Sequence, residues 1–190
     1  MADFFGMLAE GFDLPVLDWL RANLQCGFLD TIMPVITVLG DGGIFWIAVA
    51  VLMLIFGKTR RTGLSMGFAL LMGLLICNII MKPAFARIRP YDYQLKHFGL
   101  TIPLLVERQH DFSFPSGHTI ASFEAATALF LGNKKLGIPA LILAVLIAFS
   151  RLYLYVHYPT DVLTSVVLGI GLGVMGTYFA KKLPKGKYLQ

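Results

Sequence analysis

Polar positions are scarce along this chain and fall in clusters. Apolar blocks run between them at about 28–40, 42–57, 62–81, 116–132, 136–150 and 162–180, and the stretches 62–81, 136–150 and 162–180 contain no Asp, Glu, Lys or Arg. Two of these come close to the roughly 20 apolar residues a helix needs to cross a bilayer. A segment inside lipid must satisfy its backbone hydrogen bonds internally, so each block is predicted as helix. The expected fold class is all-α, an integral membrane six-helix bundle. The block 28–40 is the marginal span, being short and carrying Pro34. Residues 12–24 (FDLPVLDWLRANL) intersperse Leu17, Leu20 and Leu24 with Asp13, Asp18 and Arg21. That pattern fits a helix lying in the membrane interface or an extension of the first span.

Composition agrees with the pattern. The 190 residues are 57% hydrophobic and 14% charged, against about a quarter charged in soluble domains. The expected organisation is an N-terminal interfacial segment at 1–26, a six-span domain at 27–181 and a basic tail at 182–190. No basic leader followed by a long apolar run opens the chain, so no cleaved signal peptide is expected. No repeat or second domain is visible.

Charge orients the bundle. With six spans, the connections 58–61 and 133–135 share a side with the tail, which collects nine basic residues: Lys58, Arg60, Arg61, Lys134, Lys135, Lys181, Lys182, Lys185 and Lys187. The positive-inside rule assigns that side to the cytoplasm, and a multi-pass protein of the plasma (inner) membrane is expected. The other side holds six: Lys82, Arg87, Arg89, Lys96, Arg108 and Arg151. The net charge of +5 is thereby accounted for without a nucleic-acid partner. Cys26 and Cys77 belong to apolar surroundings, and no Cys, His or acidic cluster has metal-ligand spacing, so neither a disulfide nor a metal or other cofactor is expected.

Three blocks on the extracytoplasmic side carry chemistry. Lys82 and Arg89-Pro90 end the third apolar block, an ammonium and a guanidinium seven residues apart. Lys suits a point contact with a phosphate oxygen and Arg a bidentate fork, although a pair anchoring the helix end reads the same way. Arg87 fits that anchoring role better. Pro115-Ser116-Gly117-His118 opens the fourth block: Ser is a favoured N-cap, and free N–H groups at a helix start bind anions. A capped helix start alone would look alike. In the third block, Ser150-Arg151 is followed by His157-Tyr158-Pro159-Thr160-Asp161. A carboxylate four residues from an imidazole fixes its tautomer and leaves the other nitrogen as nucleophile or base. Three cations around two imidazoles call for a multiply charged anion and point to phosphoryl transfer, which needs mainly positioning and charge stabilisation.

These three blocks, complete and in order, resemble the signature of the type-2 phosphatidic acid phosphatase superfamily, which also includes vanadium-dependent haloperoxidases. The resemblance covers about residues 28–180, its specific part 82–161. It implies a metal-independent phosphatase built as a helical bundle. By it, His157 is the nucleophile that forms a phosphohistidine, and Asp161 orients it. His118 protonates the leaving oxygen and then activates water. Lys82, Arg89, Ser116, Gly117 and Arg151 bind the phosphoryl oxygens.

A site at headgroup level favours a lipid phosphate or pyrophosphate as substrate. The small bacterial members of the family act on undecaprenyl pyrophosphate, phosphatidylglycerol phosphate or phosphatidate. The polyprenyl pyrophosphate ranks first because an outward-facing site suits a carrier recycled there. A lipid phosphotransferase would use the same residues, a haloperoxidase is usually soluble, and a scaffold or transporter leaves the His-His-Asp set unexplained. Tyr91, Tyr93, Phe98, Phe112 and Phe114 make the 91–114 loop apolar enough to hold a chain or dip into the interface. His97 and His110 read as ordinary loop residues. Glu124, a lone charge in its block, is expected to face the interior or a wet cavity in a structural role.

Overall fold

The computed structural model describes residues 2–184, whose regular elements are all helices with no strand among the described residues. Helix α1 runs Ala2–Leu8, widens into a π turn at Ala9–Asp13 and continues as Leu14–Leu24. It stops where Gln25 turns extended, so it is separate from α2, Gly27–Val38. Helix α3 is Ile44–Ile55. Helix α4 runs Arg60–Gly73, then with π hydrogen bonding over Leu74–Met81, then Lys82–Phe85. Helix α5, Pro90–Phe98, occupies the start of the connection that the pattern leaves as loop. Pro90 pre-sets its first turn and Gly99, at φ 67°, ends it in the left-handed conformation. Helices α6 (Gly117–Gly132), α7 (Lys134–Tyr153) and α8 (Pro159–Lys182) complete the chain.

The all-α membrane fold holds, but the count of six spans is not reproduced. Among the described residues, three helical stretches are long and apolar enough to cross a bilayer: Arg60–Phe98, Lys134–Tyr153 and Pro159–Lys182. The blocks 28–40 and 42–57 are not a hairpin of two spans. Gly27–Val38 and Asp41–Ile55 pass together and meet at a bend of only 42°, so α2 and α3 form one broken segment. The break lies at Gly40-Asp41-Gly42-Gly43, where Gly42 and Gly43 take φ 57° and 68°, values that side chains with a Cβ resist. Accordingly α2 packs on α7, whereas α3 packs on α4.

Helix α6 is the axis of the bundle. At 16 residues it is shorter than a crossing helix, and ten of its residues from Thr119 to Leu129 are buried. It packs against α4, α7 and α8, and Ala125, Ala126 and Ala128 let these approach closely. Gly173 and Gly176 of α8 do the same: a Cβ there would stand 2.6 Å from the Glu124 carbonyl and 2.5 Å from the Ser65 carbonyl. Trp46 of α3 reaches the axis through a buried Nε1–H bond to Ser122 Oγ, 3.0 Å. The outer faces expose Ile79, Ile142, Val145, Leu163, Val167 and Val174, as lipid-facing surfaces do.

The two ends differ. At one, Arg61 donates to the Leu183 carbonyl and Gly132 abuts Thr62, so the 58–61 and 133–135 connections share an end with the start of the tail. Lys185 and Lys187 of that tail lie outside the described residues. The other end gathers α1, α5, the 99–116 loop and the 154–158 turn, tied by Tyr93–Glu10 and Tyr155–Asp18 hydrogen bonds of 2.7 Å each.

Candidate active site

The third block forms a tight turn between α7 and α8. Tyr155, at φ 60°, reverses the chain after α7, and Pro159 starts α8. His157, 1% exposed, is held between them. Its Nε2 lies 3.3 Å from Arg89 Nη1, and its Nδ1 lies 3.4 Å from Asp161 Oδ2. A guanidinium only donates hydrogen bonds. Nε2 therefore carries the lone pair and Nδ1 the proton, which is the tautomer a nucleophile at Nε2 needs. Burial pushes the imidazole pKa well below 6.5, and the charges of Arg89, Arg151 and Lys82 add to this.

Asp161 is fully buried and held from several sides. Its Oδ2 accepts from Ser113 Oγ at 2.5 Å and from the Tyr158 N–H at 3.1 Å, closing the first turn of α8. Its Oδ1 accepts from Arg87 Nη1 at 2.5 Å. Arg87 is thus no anchor at the helix end. It is 4% exposed, because Ala86 takes φ 46° and turns the chain inward, and its guanidinium stacks on the Tyr158 ring at 3.7 Å. Its second nitrogen bonds Asp13 at 2.6 Å.

Helix α4 ends at Phe85, so Lys82 and Arg89 are not two turns of one helix. The non-helical 86–89 segment folds back, and both cations meet at Asp111. Lys82 Nζ pairs with Asp111 Oδ2, and Arg89 Nη2 with Oδ1 at 2.5 Å. Burial raises the Asp111 carboxyl, but the Lys82 hydrogen bond and the Arg89 charge outweigh it and hold its pKa at about 2. Arg89 also donates to the Val156 carbonyl at 2.7 Å, which fixes it beside His157. Arg151 is 2% exposed and donates through Nη1 to Thr37 Oγ1 at 2.5 Å. Its Nε and Nη2 are buried without a hydrogen-bond partner, which suits a guanidinium whose remaining donors serve an anion.

Ser116 caps α6, accepting from the Thr119 N–H at 3.4 Å, while its own N–H bonds Ser165 Oγ at 2.8 Å. A Cβ on Gly117 would stand 3.9 Å from Lys82 Nζ, so the helix start and the cation are adjacent. His118 presses its ring on Gly40 and places Nε2 2.7 Å from Asp41 Oδ1 in the α2–α3 break. All eight residues expected at the site thus lie at one end of the bundle.

A cavity of about 860 Å³ opens there, with Lys82, Arg89, Asp111, His118 and His157 at its head. It descends between α3 and α4 along Ile47, Val51, Leu54, Leu70 and Leu74 as far as Gly63. From Lys82 to Gly63 the helix covers roughly 25–30 Å. Glu124 is 1% exposed in its wall, with its carboxyl against Gly73. Of the loop aromatics, Phe112 lines the cavity, Tyr91, Tyr93 and Phe114 are buried, and Phe98 is exposed. His97 stacks on Tyr93 with ring centres 4.1 Å apart, and His110 is exposed.

Sequence reasoning missed Asp13, Asp41, Asp111 and Ser113, and gave Arg87 the wrong surroundings. Two signals were available. Asp41 is an acid inside a glycine-rich break between apolar blocks, and Asp111 and Ser113 lie just ahead of Pro115. Nothing local marks Asp13, whose partners are distant in sequence.

Comparison with known proteins identifies the family. Residues 62–185 match the model of the PAP2 superfamily. The undecaprenyl-diphosphatase of Sulfolobus acidocaldarius is 31% identical over 160 residues, 84% of this chain and 74% of that protein. The undecaprenyl-diphosphatase BcrC of Bacillus subtilis is 33% identical over 157 residues, 82% of this chain and 77% of that one. The crystal structure of a transmembrane PAP2-type phosphatidylglycerolphosphate phosphatase from Bacillus subtilis superposes with a TM-score of 0.68 at 27% identity, covering 97% of this chain and 96% of that one. With its three motif blocks gathered at the head of an apolar cavity, this multi-pass membrane chain belongs to the PAP2 superfamily of phosphatases.

Proposed function

We propose that the protein hydrolyses a polyprenyl pyrophosphate, of which undecaprenyl pyrophosphate is the reference, to the lipid phosphate and inorganic phosphate. The observation that carries this is the union of a His157 lone pair beside Arg89, within the field of Arg151 and Lys82, with a deep apolar cavity. His157 Nε2 attacks the terminal phosphorus, and the bond to the bridging oxygen breaks. His118 gives that oxygen a proton, and the lipid phosphate leaves. His118 then takes a proton from water, which attacks the phosphohistidine and releases phosphate. Lys82, Arg89, Arg151 and the Ser116-Gly117 helix start hold the phosphoryl oxygens, with Asp111 displaced from the two cations it pairs with. Asp161 keeps the proton on His157 Nδ1. These residues supply the positive charge that phosphoryl transfer requires.

With Arg21 of α1 counted at the site end, the basic residues divide nine to seven, which supports a plasma-membrane orientation with the site on the extracytoplasmic face. Helix α1 then lies at that surface, with Phe4, Met7, Phe12 and Trp19 exposed to the interface. The similarity to the phosphatidylglycerolphosphate phosphatase favours a second reading, a glycerophospholipid phosphate as substrate. Phosphate release in detergent with EDTA present decides between them. The highest kcat/KM is expected for undecaprenyl pyrophosphate, ahead of phosphatidylglycerol phosphate and phosphatidate. A higher value for either of the latter would replace the substrate assignment, and activity lost in EDTA and restored by magnesium would replace the mechanism.

A further inference from the structure

The N-terminal helix lies outside the residues that match the family model, 62–185, yet it reaches the reacting histidine through two buried side chains. Asp13, fully buried in the wide turn of α1, accepts from Arg87 Nη2 at 2.6 Å. The same carboxylate accepts from Thr160 Oγ1 at 2.7 Å and from the Thr160 N–H at 2.9 Å. Arg87 Nη1 completes the relay to Asp161 at 2.5 Å, and Phe5 of α1 lies under the guanidinium at 4.7 Å. We propose that Asp13 is a positioning residue for the phosphoryl-transfer step, holding Asp161 in place for His157 through Arg87 and Thr160.

Two physical effects support this. The first is charge. Arg87 alone beside Asp161 would form a neutral buried pair and draw the carboxylate away from His157, whose Nδ1 is already 3.4 Å distant. With Asp13 the group Asp13–Arg87–Asp161 keeps one net negative charge next to an imidazole that becomes cationic on attacking phosphorus. The second is geometry. Thr160 and Asp161 are neighbours in the first turn of α8, whose N–H groups have no partner within the helix. Asp13 binds one of them from outside, so the turn that carries Asp161 is pinned by α1.

The inference rests on His157 being the nucleophile, and the test keeps the two claims apart. Asp13→Asn, Asp161→Asn and the double variant are made in the full chain and assayed with nitrophenyl phosphate, alongside the affinity for inorganic phosphate as competitive inhibitor. Asp13→Asn is expected to lower kcat by tenfold or more, with the phosphate inhibition constant within twofold of wild type. In the Asp161→Asn background the same change is expected to cost less than twofold, and Asp13→Glu is expected to recover part of the rate. An unchanged kcat, an equal loss of phosphate affinity, full additivity in the double variant, or a Glu variant no better than Asn would each overturn the proposal. Should Asp13→Asn not fold, Thr160→Val removes only the hydroxyl shared by Asp13 and Arg87. A several-fold loss of kcat at constant phosphate affinity is then expected, and a wild-type rate would overturn the proposal. If the wild type yields no phosphohistidine, the nucleophile itself falls. If it does and Asp13→Asn works at full rate, only Asp13 falls.

Discussion

His118 Nε2 lies 2.7 Å from Asp41 Oδ1, across the break between α2 and α3. A carboxylate accepts, so Nε2 donates and Nδ1 is the nitrogen left to exchange a proton with the leaving oxygen and then with water. The site therefore contains two His–carboxylate pairs, His157 with Asp161 and His118 with Asp41. The break in the first membrane segment is where the second carboxylate comes from.

Asp41→Asn keeps the shape but removes the charge that stabilises protonated His118. Its kcat should fall about tenfold for a lipid monophosphate, whose alkoxide needs a proton, and by less for nitrophenyl phosphate, a part of the roughly 10²- to 10⁴-fold that a general acid supplies, because His118 itself remains. Equal losses on both substrates, measured on the phosphate-forming step, would detach Asp41 from acid catalysis.

Asp111 occupies both Lys82 and Arg89, so it competes with the phosphoryl group for them. Asp111→Asn should tighten competitive inhibition by inorganic phosphate about three- to tenfold, a modest gain because the carboxylate is half exposed and screened. Weaker phosphate binding in the variant would show that Asp111 assists substrate instead.

Much of this was legible beforehand because the signals are local. Spans follow from the lack of charge, and the blocks around His118 and His157 carry their partners within a few residues. What stayed hidden depends on long-range contact. Arg87 looks like an anchoring cation until Asp13 and Asp161 are seen on either side of it. The α2–α3 pair looks like two spans because hydropathy reads where a helix breaks but not the angle at which it resumes. Helix α5 was missed because its polar sequence, Asp92 to His97, reads as loop although Pro90 and Gly99 bracket it.

Glu124 lines the cavity with Oε2 buried and without a hydrogen-bond partner. Glu124→Gln preserves the size of the side chain and touches none of the reacting residues, so it should fold normally, with turnover within about threefold of wild type, as volume-conserving changes are tolerated best. Near-complete loss of turnover in the folded variant would move Glu124 into the reaction.

His157 yields a pH prediction with a defined sign. Its folded pKa is well below 6.5, so below that pH the unfolded chain takes up a proton that the folded protein refuses. Stability from this group is therefore lost as pH falls below 6.5. His157→Gln should lose less melting temperature between pH 7 and pH 5 than wild type, in the same detergent. An equal or larger loss would contradict the buried neutral imidazole.

The most direct test is to trap the phosphoenzyme. Wild-type protein is mixed with substrate labelled in its terminal phosphate, quenched in alkaline denaturant, where phosphohistidine survives, and mapped by peptide. The account predicts label on His157, none in His157→Ala, and accumulation in His118→Ala with nitrophenyl phosphate, because that variant can still be phosphorylated but lacks the base for water. Label on any other residue, or turnover retained by His157→Ala, would contradict it.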